Sequence, residues 1–119
     1  MDWFSYFELA QEWADGGEAH KRSAVSRAYY AMYCTARNKL DDAGRYNPPD
    51  CGSSHIHVWN LYKEDPNPER RPIGVLGTRL RRARNRADYC DFIDDFFDDV
   101  ETAMDDAAEL KDLLEELLV

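Results

Sequence analysis

The chain is poor in the features that announce a particular chemistry. Its three cysteines, Cys34, Cys51 and Cys90, are an odd number with no Cys-x-x-Cys pair. That argues against a disulfide framework or a zinc site and for a reducing compartment. Each thiol is expected to be a small buried or half-buried group. No window approaches ~20 apolar residues, so no membrane span is expected. The acidic opening MDWFSYFELAQEW lacks the basic region and apolar run of a signal peptide. There is no Gly-rich phosphate loop and no Ser-His-Asp or Cys-His nucleophile arrangement. The acids Asp94, Asp95, Asp98 and Asp99 lack the glycine and alternate ligands of a calcium loop. Neither a metal nor a cofactor is expected, and the protein is expected to be soluble and cytoplasmic. Strict alternation with β-branched residues is missing as well, so no strands are expected.

Basic charge is also scarce: 15 Lys and Arg stand against 24 Asp and Glu, a formal net charge of -9. Such a balance argues against general affinity for nucleic acid. The little there is, however, is concentrated. From Arg70 to Arg86 the basic residues are Arg70, Arg71, Arg79, Arg81, Arg82, Arg84 and Arg86, with no acid among them, and from Asp88 onward acids dominate. An Arg fork suits phosphate or carboxylate. The cluster therefore points either to an anionic ligand or to neutralisation by the acidic segment, with Asp88, Asp91 and Asp94 at helical separations.

With 119 residues, 44% hydrophobic and 13% aromatic, the chain suits one domain, residues 1–119, with one core. Trp3, Phe7, Ala10 and Trp13 or Ala14 recur at helical spacing before Asp15-Gly16-Gly17. A second helix is expected from Glu18 to Ala43, with Val25, Ala28, Tyr29, Met32, Ala36 and Leu40 inward and Gly44 at the cap. Tyr46 to Ser54 reads as a loop, and Ser53 or Ser54 caps a short helix holding His55, Ile56, Val58, Trp59 and Leu61. A second loop runs from Glu64 to Pro72, where three prolines oppose a helix. The fourth helix is expected from about Val75, with Leu76, Leu80, Ala83 and Ala87 facing a core. After a bend or loop within Asp88 to Asp99, the last helix carries Val100, Ala103, Met104, Ala107, Leu110, Leu114 and Leu117 as an apolar stripe. The expected fold is all-α, an up-and-down bundle of four to five helices.

Two segments carry a family resemblance. Ser26-Arg27-Ala28-Tyr29-Tyr30-Ala31-Met32-Tyr33-Cys34-Thr35-Ala36-Arg37 resembles the second-helix signature of the HEPN superfamily, closest to its small prokaryotic stand-alone members. His55 and the Arg-rich segment ending in Ala87-Asp88-Tyr89 match the later parts of that pattern, and the likeness spans about Glu18 to Leu114. It implies a helical bundle that forms a homodimer, often in toxin–antitoxin or defence systems beside a nucleotidyltransferase-type partner. Many members are metal-independent endoribonucleases with an Arg-x4–6-His motif, in which Arg holds the scissile phosphate and His does acid–base chemistry. This chain departs there: counted from Arg84 the His position holds Tyr89, and aligned on Arg82 it holds Ala87. A phenol with pKa ~10 is a poor substitute for imidazole.

The resemblance thus implies a module that binds a nucleotide, RNA or a protein partner through Arg81, Arg82, Arg84, Asn85, Tyr89 and Tyr29. Two alternatives stand beside it. One is a ribonuclease in which His55 or Tyr89 acts with Arg84, or to which His57 contributes. The other is a structural helical dimer whose arginines answer its own acids, with Tyr29, Tyr30 and Tyr33 as core or interface aromatics and His55 as a helix-loop contact.

Overall fold

A computed structural model of the chain describes residues 1–46 and 54–117. Among them lie α1 (Phe4–Trp13), α2 (Glu18–Asp42), α3 (Ser54–Lys63), a 3-10 turn (Pro68–Arg70), α4 (Arg71–Tyr89) and α5 (Phe96–Glu116), with no strand. The fold is an all-α helical bundle. Cys51 and Ser53, a thiol and a candidate cap in the sequence reading, lie outside the described residues.

The long α2 is the central element, packing against α1, α4 and α5, while α3 packs on α4. Its buried positions include Val25, Ala28, Tyr29, Met32, Ala36 and Leu40, the stripe that the spacing predicts. The helix stops as expected at Gly44, whose φ of 70° is left-handed. There Gly44 N donates to Asp41 O and Arg45 N to Leu40 O, the paired closure of a Schellman end, which a residue with a Cβ would strain. Leu76, Leu80, Ala83 and Ala87 of α4 are buried, as are Val100, Ala103, Ala107, Leu110 and Leu114 of α5. Trp59, Tyr29, Tyr62 and Met32 are among the largest fully buried side chains. Each such burial stabilises the fold by roughly 1.5–3 kcal/mol before entropy is counted.

Two expectations need correction. The fourth helix starts at Arg71 rather than near Val75, with Pro72 inside its first turn. A proline fits there because the N–H it lacks would have had no helical partner. Cys90 is exposed while Cys34 is buried, because Cys90 is the residue at which α4 ends, in extended conformation. Within α3, Val58, Trp59 and Tyr62 are buried and Ile56 is 45% exposed. The bend expected between Asp88 and Asp99 is the segment 90–95, and the left-handed Asp95 (φ 50°) turns the chain into α5.

One buried acid fixes the approach to α4. Asp65 is 3% exposed; it pairs with Arg45 at 2.7 Å and Arg70 at 3.6 Å, and its Oδ1 accepts from Asn67 N. Burial alone would raise its pKa, but the Asn67 amide and the two guanidiniums outweigh burial and hold the carboxyl below its ordinary value.

Candidate anion site at His55 and Arg84

Three helices each contribute a ladder of residues four apart. On α2 these are Tyr29, Tyr33 and Arg37; on α3, His55 and Trp59; on α4, Arg84 and Asp88. Side chains at i and i+4 lie on one helix face, so three such faces meeting in the bundle bring these groups together. The His55 ring stacks flat on Tyr33, with centroids 3.9 Å apart and planes 1° apart. His55 Nδ1 and the Tyr29 hydroxyl are 2.7 Å apart, and Trp59 Nε1 donates to that hydroxyl oxygen at 3.1 Å. With Trp59 donating to the Tyr29 oxygen, the buried Tyr29 O–H is satisfied if it donates to His55 Nδ1. That assignment puts the proton of the neutral imidazole on Nε2.

His55 is biased toward its neutral form. Burial, and then the charges of Arg84, Arg81 and Arg37, push its pKa below the ordinary value. Burial also drives the Tyr29 phenol far above its usual range, so neither group is a ready base. A neutral ring with Nε2–H and an occupied Nδ1 can donate to an anion; it cannot take a proton at Nε2.

Arg84 is held from several sides. Its Nε lies 2.8 Å from Asp88 Oδ2, Nη2 donates to Tyr30 Oη at 2.8 Å, and Nη1 donates to Asn85 Oδ1 at 3.2 Å. Its Cζ lies over the rings of Tyr30, Tyr29 and Tyr89 at 5.1, 5.9 and 5.7 Å. Among the described residues Arg81 has no carboxylate partner.

Of the residues singled out in the sequence, His55, Arg84, Asn85, Tyr89, Tyr29 and Arg81 gather in this region. Tyr29 is fully buried and reaches His55 but not solvent; Tyr89 is 74% exposed. Arg82 stands apart, in the groove between α4 and α5 with Arg79, Arg86 and Asp99, because two residues along a helix is more than half a turn. His57 also stays outside, its ring facing Tyr46 at 6.2 Å and its Nε2 buried without a hydrogen-bond partner among the described residues.

The acids that answer the arginines are not the expected Asp91 and Asp94. Asp88 takes Arg84, Asp99 takes Arg86 through two bonds of 3.1 and 2.7 Å, and Asp106 takes Arg79 at 3.1 Å. No group of three or more His, Cys, Asp or Glu among the described residues is placed to hold a metal ion. No helix among them is long and apolar enough to cross a membrane. Sequence reading missed Arg37 as a site residue and the ring stack it adjoins; the four-residue spacing Tyr29, Tyr33, Arg37 was the available signal. No family profile, curated protein or solved structure matches the chain.

Proposed function

We propose that this chain is a HEPN-like module of a prokaryotic toxin–antitoxin or defence system that binds nucleotide or RNA phosphate on its α2–α3–α4 face without cutting it. One observation carries the reading. Arg37, Arg81 and Arg84 all bear on a single neutral imidazole in a chain of net charge -9. Such a local positive field, with an N–H donor at its centre, suits an oxyanion. The engaged Nδ1 and the Tyr at the motif's usual His position both disfavour acid–base cleavage. In this reading the module works in the cytoplasm as a homodimer and pairs with a nucleotidyltransferase-type protein. The exposed Tyr89, Phe92 and Phe97, at 74%, 80% and 72%, supply apolar surface for such contacts.

Fluorescence anisotropy with a short labelled RNA tests the reading. Arg81→Ala is expected to weaken binding roughly 10–100-fold, and RNA incubated in EDTA is expected to stay intact. Cleavage in EDTA that His55→Ala abolishes would turn the assignment to a metal-independent ribonuclease. The ion pairs of Arg86 and Arg79 with α5 and the bond from Arg84 to Tyr30 of α2 favour a second, structural reading, in which the arginines serve only to join helices. It predicts that Arg84→Ala lowers stability and that no nucleotide or RNA raises the melting temperature.

A further inference from the structure

We propose that the cavity beside Arg27 is a binding site for a small phosphomonoester, adjoining the His55 cluster through Tyr30 and Asp88 but not resting on that cluster's assignment. The cavity, of about 490 Å³, is walled by Tyr6 of α1, by Ser23, Ser26, Arg27 and Tyr30 of α2, and by Asp88 of α4. Pockets of ~300–1,000 Å³ suit metabolite-sized ligands.

Arg27 gives the cavity its character. Its guanidinium lies over the rings of Trp13 and Tyr6, at 4.6 and 5.5 Å. Among the described residues its buried Nε has no hydrogen-bond partner, and no carboxylate pairs with it. A half-buried cation left without a counter-ion is costly, and this chain has acids in excess. The ring contacts recover part of that cost and fix the plane of the fork. The neighbouring Arg22 is already committed, donating to the carbonyls of Ala87, Cys90 and Asp91.

The donor set points to phosphate over carboxylate. Ser23, Ser26 and Arg27 stand at i, i+3 and i+4, one face of α2. Two hydroxyls and a guanidinium fork can serve three oxygens of a tetrahedral group, where a planar carboxylate offers two. The bond from Ser26 Oγ to Asp88 Oδ2 is long, at 3.3 Å, which leaves the hydroxyl able to turn to a phosphate oxygen. Asp88 is the acid on this wall, and Arg84 already neutralises it at 2.8 Å. The Tyr6 ring leaves an aromatic surface for the organic part of the ligand.

Calorimetric titration of the full chain with phenyl phosphate, inorganic phosphate and benzoate tests the site. Saturable binding of phenyl phosphate is expected. Arg27→Gln should weaken it ~10–100-fold, the Ser23→Ala/Ser26→Ala pair should also weaken it, and Arg81→Ala should leave it unchanged. If Arg27→Gln fails to fold by circular dichroism, Arg27→Lys, which keeps charge and stem but loses the fork, carries the same expectation of weakened binding. No saturation by about 10 mM, or affinity untouched by the Arg27 variants, overturns the site. Loss of binding in Arg81→Ala alone would place the ligand at His55, sinking this inference while sparing the function proposed above. Equal affinity for benzoate would overturn the phosphate assignment.

Discussion

At the scale of single residues, the chain Trp59–Tyr29–His55 sets the chemistry of the α2–α3–α4 face. Tyr29→Phe keeps the ring stack but removes the oxygen that Trp59 Nε1 donates to and the hydroxyl bonded to His55. A buried donor left unmatched costs ~1–3 kcal/mol, so urea unfolding should show a loss of that size. The His55 titration followed by NMR should move upward, because the bond lost is one made to the neutral ring. His55 also couples the fold to pH. Its folded pKa lies below that of the unfolded chain, so the unfolded state takes up the proton first as pH falls. Its contribution is full above ~6.5, the ordinary imidazole value, and is lost as pH drops through the folded pKa. Stability measured between pH 7 and 5 should fall, and His55→Gln should flatten that part of the profile.

Among the elements, the approach of α4 to α3 is set by two residues without side chains. A Cβ on Gly77 would run into the six-membered ring of Trp59, and one on Gly74 would meet the Trp59 carbonyl and Lys63. Helix propensity favours Gly→Ala by ~1 kcal/mol, yet overpacking a filled interface costs ~1–3 kcal/mol. At Gly77 the obstacle is a fully buried indole, so the clash wins: Gly77→Ala should destabilise the protein in thermal unfolding and disturb the Tyr29–His55 pair behind Trp59. Neither glycine stands out in the sequence. The helices themselves were legible, because the stripes of α2, α4 and α5 repeat at 3.6 residues and Gly44 ends α2. Where α4 begins was not, since Pro72 reads as a breaker and becomes a first-turn residue only once the 3-10 turn Pro68–Arg70 leads into it. The gathering of His55 and Arg84 was foreseen only through family likeness. The partners of Arg86 and Arg79 were hidden because Asp99 and Asp106 lie on another helix, beyond the reach of local spacing.

For the whole molecule, charge is sorted by surface. Acids prevail overall, and α5 joins α4 through Arg86–Asp99 and Arg79–Asp106; such partly exposed pairs contribute ~0–1 kcal/mol each and serve more to set register than to hold the bundle. Arg22 is a tie of another kind. From α2 it reaches the carbonyls of Ala87, Cys90 and Asp91, partners 65, 68 and 69 residues away in the chain, where α4 ends and the turn toward α5 begins. Contacts so distant in sequence require a long loop to close before they form, and a partly exposed clasp at the end of α4 is expected to form late, after the transition state. Removing it should then leave the folding rate nearly untouched and act on escape from the native state. In a denaturant chevron, Arg22→Ala should raise the unfolding arm and leave the folding arm in place. The Arg22 clasp would in that case govern how long the protein stays folded, with little say in how quickly it gets there.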